Sequence, residues 1–175
     1  MPVLEVVTFI AAPPERVFDC ARDVGLHLRS MRATGERVVS GRAEGLCEAG
    51  DVVVWSGRHF GVRWTMTVKI SGFERPRWFQ DRMTHGPFAA FSHDHHFEAV
   101  PRGTRMYDVI AYRPPFGALG RIFDSLLLWR HMRRLLEERA EAIRRAAEDA
   151  AASPPATGPG RGAGDAGSPG ALPAR

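Results

Sequence analysis

Between Gly120 and residue 150 the chain carries neither proline nor glycine, and that uninterrupted stretch constrains everything before it. Pro114-Pro115-Phe116-Gly117 is a rigid turn that ends any preceding strand. In the run that follows, apolar residues recur at helical spacing: Leu119, Ile122, Leu126, Trp129, Leu136, Ala140 and Ile143, widened near the start by Phe123 and Leu127. A helix of about thirty residues is roughly 45 Å long. A rod of that length with one apolar side needs a broad surface to lie on, and only a sheet built from the preceding residues supplies one. The apolar first half predicts burial there, with Leu126 pointing inward. The Arg- and Glu-rich second half predicts a segment projecting along the sheet edge.

The residues before the helix read as a sheet with an early helical interruption. Val3–Ile10 is a strand-like run ended by Ala11-Ala12-Pro13-Pro14. A proline in the first turn starts a short helix carrying Val17, Phe18 and Ala21, and Asp23 caps a second over Val24–Met31. Six further strands are predicted over 36–40, 51–58, 62–71, 77–83, 88–100 and 104–112, divided by Gly- and Pro-containing turns. Val62, Trp64, Met66, Val68 and Ile70 alternate with polar neighbours, the pattern of a half-buried antiparallel strand with one inner face. Trp64 is therefore expected to point inward. The economical packing is an α+β domain over 1–150 in which a curved sheet folds around the long helix. From Ala151 to Arg175 the chain is mostly Gly, Pro, Ala and Ser without periodicity, which predicts a disordered tail.

Composition removes several function classes. The formal charge is +4, but the basic residues are almost all arginine (Lys69 is the single lysine), and acidic residues are interleaved with them. No basic stripe of the kind that tracks nucleic acid results. Cys20 and Cys47 fit no metal or redox spacing and no disulfide framework. Neither a secretory signal nor an apolar run long enough to span a bilayer is present, so a cytoplasmic location is expected. Arg130-His131-Met132-Arg133-Arg134, with Glu137, Glu138 and Glu141 one turn on, reads as a solvated helix face held by local ion pairs. Transient contact with an anionic membrane is its lesser reading.

Several phrases resemble the START/polyketide-cyclase superfamily, also called SRPBCC. They are Ala11-Ala12-Pro13-Pro14-Glu15-Arg16-Val17-Phe18, Gly50-Asp51-Val52-Val53-Val54-Trp55, His59-Phe60-Gly61 and Glu74-Arg75-Pro76-Arg77-Trp78-Phe79. Gly86-Pro87-Phe88, Phe91-Ser92-His93-Asp94-His95-His96-Phe97 and Pro115-Phe116-Gly117-Ala118-Leu119-Gly120 are the most specific, and are similar to a bacterial ligand-binding or cyclase/dehydrase-like subgroup. The resemblance covers about residues 3 to 147. It implies the helix-grip fold, a seven-stranded antiparallel sheet around a C-terminal helix with two short helices after the first strand. It also implies a cavity between sheet and helix. Functions in the superfamily range from lipid and quinone carriage to aromatase and cyclase chemistry, so the resemblance fixes no single ligand.

In such a fold the candidate ligand-binding residues are Trp55, Trp64, Met66, Trp78, Phe91, His93, His95, Tyr112, Phe123 and Leu126, with Val68, Ile110 and Ile122 beside them. A pocket needs that make-up, an apolar wall with a few polar groups, unless the side chains simply meet and fill the core. His93 and His95 share one strand face with Phe91 and Phe97. A two-residue turn at Pro101-Arg102 sets His95 opposite Asp108, His93 opposite Ile110 and Phe91 opposite Tyr112. A bulge at Gly103 would instead slip the register. Three readings of His95 and Asp108 stay open: a structural buried pair, an anchor for a ligand oxygen, and a general base oriented by a carboxylate. Metal binding through His93 and His95, with His59, His85 or Asp108 as third ligand, is a minor fourth, and the leading reading carries no metal and no cofactor. The leading function is binding of one small hydrophobic molecule: a lipid, a quinone or a polycyclic aromatic. A polyketide-type cyclase or dehydratase and an interaction module with a filled core are the alternatives. No oligomeric state is legible.

Overall fold

The computed structural model describes residues 1–115, 117, 120 and 123–152, the side chains of 150–152 excepted. Of the tail expected from Ala151, residues 151–152 continue the helix, and the rest, like the turn residue Phe116 and the helix positions Leu119 and Ile122, lies outside the described residues. In chain order the elements are β1 (Val3–Ile10), α1 (Pro14–Ala21), α2 (Val24–Ser30), a 3₁₀ turn (Arg32–Thr34), β2 (Arg37–Gly41), β3 (Val52–His59), β4 (Val62–Glu74), β5 (Trp78–His85), β6 (Ala90–Val100) and β7 (Gly103–Arg113). A π-type turn (Asp124–Leu128) then leads into α3 (Trp129–Ala152). The strands form one seven-stranded sheet in the order β1-β7-β6-β5-β4-β3-β2. Every neighbouring pair is antiparallel.

Local chemistry explains the early interruption of the sheet. Pro14 opens α1, where its missing N–H costs nothing, and the Asp23 carboxylate caps α2 by accepting from the Leu26 amide at 2.6 Å. The β6–β7 hairpin turns at Pro101-Arg102 with no bulge, pairing His95 with Asp108, His93 with Ile110 and Phe91 with Tyr112. Gly103, at φ 146°, is required there, since a Cβ would meet the Ile10 carbonyl oxygen at 2.0 Å.

The sheet curls around α3, with α1 packed against both the long helix and strands β6 and β7, and α2 against the helix. Phe18 stands at the centre of the main core, with Phe73, Phe79 and Phe97 edge-on to it at 5.3–5.4 Å. Ala140, Ile143 and Ala147 of α3 close that core from the other side.

The long helix buries the opposite half to the one expected. Leu136, Ala140, Ile143 and Ala147 are buried, whereas Leu126 is 60% exposed and Phe123 and Leu127 are also exposed. The cause is the π-type turn. Its wider turn breaks the 3.6-residue period and rotates Asp124 and Leu128 inward while Leu126 and Leu127 swing out. Asp124 is held there by the Tyr112 hydroxyl, which donates to it at 2.5 Å. Arginines and glutamates of α3 lie on its solvated faces in pairs such as Arg133–Glu137 and Arg134–Glu138, but Arg139 turns inward and is buried. Ile143→Val should therefore cost about 0.5–1.5 kcal/mol in urea unfolding. Leu126→Ala should stay within about 0.5 kcal/mol of wild type.

Candidate functional site

The side chains of the concave face do not meet in the middle. A cavity of about 590 Å³ lies between the sheet and α3. Of the residues expected to line it, Trp55, Trp64, Met66, Phe91, His93 and Phe123 do, as do Val68 and Ile110. Trp64, expected to be inward, is 40% exposed because it stands near the Phe60-Gly61 hairpin, where the cavity opens. At that rim Phe60 packs on Phe123 at 5.2 Å, and His59 and His131 share a hydrogen bond of 2.9 Å.

Four expected ligand-binding residues stand elsewhere. Trp78 lies on the outer face of the sheet, where its Nε1 donates to Asp94 at 3.1 Å; strand alternation turns its neighbour Phe79 inward instead. Leu126 is swung out by the π-type turn. Tyr112 is sealed in the core, where burial, reinforced by the Asp124 carboxylate its hydroxyl donates to, raises the phenol's pKa. His95 is 0% exposed, packed between Phe79 at 4.2 Å and His93 at 3.8 Å, and does not reach the cavity wall.

The two histidines converge on one carboxylate. Asp108 accepts from His93 Nε2 at 3.1 Å, and its same oxygen lies 2.6 Å from His95 Nδ1. The second approach is short but poorly aligned, and among the described residues neither ring nitrogen of His95 has a well-directed hydrogen-bond partner. His95 Nε2 faces Asp81 at 3.5 Å. Burial works against charge on His95, but Asp108 and Asp81 together outweigh it and raise its pKa. Burial, aided by the charge on His95, pushes His93 down to about 4, so its ring is neutral at pH 7. Burial alone would raise Asp108, yet the two imidazoles hold it well below the usual carboxylate range; His95 does the same for Asp81.

Asp81, Arg139, His27 and Glu36 complete this polar end of the cavity. Arg139 spans it, donating to the Ala21 carbonyl at 2.8 Å and bonding His27, which in turn meets Glu36 at 3.3 Å. None of the four stands out in the sequence reading. Two carry a signal: Arg139 falls on the helix stripe between Leu136 and Ile143, and Asp81 shares strand parity with the buried Phe79. A charge on an apolar face is the mark of a polar pocket end. His27 sits in the short α2 and Glu36 just before β2, neither on a readable face.

The arrangement offers an apolar enclosure with hydrogen-bond donors and acceptors gathered at one end. It can hold one elongated or planar apolar molecule and orient its oxygen. Among the described residues no helix is long and apolar enough to cross a membrane.

A family model described as polyketide cyclase/dehydrase and lipid transport matches residues 1–148. No curated protein matches the chain. Among solved structures, TTHA0849 from Thermus thermophilus is similar at 19% identity and a TM-score of 0.70, over 87% of this chain and 100% of that one. Protein CV1439 from Chromobacterium violaceum aligns at 13% identity and a TM-score of 0.61, covering 83% and 96% of the two chains. The major latex-like protein 151 of Panax ginseng does so at 14% and 0.60, covering 83% and 97%. At these identities the structures establish the shared helix-grip fold.

Proposed function

Since the chain belongs to the polyketide cyclase/dehydrase and lipid transport family, we propose that it binds one small hydrophobic molecule between the sheet and α3. A lipid, a quinone or a polycyclic aromatic suits the cavity, and the reading includes a cytoplasmic location. The observation that carries it is an enclosure of about 590 Å³ with an apolar wall and one polar end. Binding pockets run from roughly 300 to 1,000 Å³ with that same distribution of groups. Trp55 and Trp64 on the wall give the test an intrinsic signal. Titration with anilinonaphthalene sulfonate, an apolar dye with an anionic end, should quench them saturably. Met66→Trp, which fills part of the cavity, should weaken uptake by roughly tenfold or more, about 1.4 kcal/mol. A wild-type protein that takes up no dye, and retains no apolar molecule in native mass spectrometry, would overturn the reading.

A cyclase or dehydratase reading is favoured by one observation: His93, bound to Asp108, stands on the cavity wall. The base of that reading is His93 rather than the sealed His95. Its low pKa makes it a weak base but a neutral one at pH 7, ready to accept a proton from an acidified carbon or hydroxyl.

A further inference from the structure

We propose that Asp81, His93 and His95 form a binding site for one divalent first-row transition-metal ion, such as Zn²⁺ or Fe²⁺, at the polar end of the cavity. The three residues come from adjacent strands. Asp81 of β5 pairs directly with His93 of β6, and His95 follows two residues on along the same face. The sheet thus fixes all three positions before any ion arrives.

The donor spacing suits an ion. One donor atom from each residue lies within 4.8 Å of the other two, and His95 Nε2 is 3.5 Å from Asp81 Oδ2. Metal–ligand bonds of about 2.0–2.1 Å place tetrahedral donors roughly 3.4 Å apart. Side-chain adjustments of about 1 Å therefore close the site. Two histidines and one carboxylate are a donor set for Zn²⁺ and non-haem Fe²⁺, with further positions left open.

The orphaned atoms point the same way. His95 is wholly buried, yet both its ring nitrogens and Asp81 Oδ1 have no well-directed hydrogen-bond partner among the described residues. Buried polar atoms without partners are costly unless something coordinates them. Asp108, touching both imidazoles, is the outer carboxylate that fixes ring orientation around such an ion. Asp81 and His93 also line the cavity, so an open coordination position faces it and can take water or a ligand oxygen.

The site stands independently of the apolar-ligand reading. Its test is titration of the metal-stripped protein with Co²⁺, followed by the visible d–d bands, and displacement by Zn²⁺. One equivalent of Co²⁺ should bind, and Zn²⁺ should raise the melting temperature. Asp81→Asn and His93→Gln should each weaken Co²⁺ binding by about a hundredfold, while His96→Gln, on the outer face, should leave it unchanged. The proposal is overturned if the wild type binds no Co²⁺ saturably, or if one equivalent binds equally well in both variants. Binding lost instead in His131→Gln would assign the ion to the His59–His131 pair and would equally overturn it. A protein that takes up the dye but not Co²⁺ defeats this site alone; one that takes Co²⁺ but no dye defeats the ligand reading alone.

Discussion

Asp108→Asn is expected to lower the unfolding free energy by about 3–5 kcal/mol, the cost of removing one partner from a buried ion pair. Asp108 sits mid-strand in β7, almost fully buried, with one oxygen serving both His93 and His95. Asparagine keeps the shape and removes the charge. His95 then has only Asp81 as counter-ion, at 3.5 Å, and must lose its proton or stay buried with one partner fewer. His95→Gln removes the cation instead and should cost less. The double variant should cost less than the sum of the two, because both remove one interaction. Urea unfolding of the four proteins decides it. An Asp108→Asn protein within about 1 kcal/mol of wild type would show that no ion pair exists there.

That pairing was legible in the sequence because strand alternation and a two-residue turn leave few registers to choose from. Phe91, His93, His95 and Phe97 share parity, and the Pro101-Arg102 turn fixes what they face. The element order, the seven strands and the short helices were legible for the same reason, each marked by proline, glycine or a capping aspartate. Depth was not. Parity assigns His93 and His95 to the same face but does not say that His93 reaches the cavity while His95 is covered by Phe79 and His93.

The helix shows where pattern reading fails physically. A stripe drawn at constant 3.6-residue period joins Leu126 to Leu136 and Ile143, but the π-type turn shifts the phase between them. The Tyr112–Asp124 hydrogen bond, between residues of different elements, accompanies that shift and is not visible in a helical pattern. Trp78 fails for a simpler reason: size suggests the core, but strand parity gives the inner position to Phe79. Arg139 and Asp81 escape the reading because charge ordinarily marks solvent. A polar pocket end inverts that rule.

Acid should unfold the protein earlier than its carboxylates alone would dictate. His93 titrates near 4 in the folded chain against an ordinary 6.5, so between those values the unfolded chain binds a proton that the native one refuses. Stability must then fall as pH drops through that window. At about 1.4 kcal/mol per pH unit the loss from His93 alone approaches roughly 3 kcal/mol. Burial lowers His27, His59 and His131 in the same sense. His95 opposes them: its raised pKa gives stability that is fully present below 6.5 and is lost as pH rises through the folded value. Asp81 and Asp108 are depressed, so their contribution holds above the ordinary carboxylate range and disappears only in stronger acid. Four lowered imidazoles against one raised predict a urea midpoint that falls steadily from about pH 7 to about pH 4. His93→Gln should flatten that slope by about one proton. A wild-type midpoint that rises on acidification would mean that His95, held between two aspartates, governs the titration.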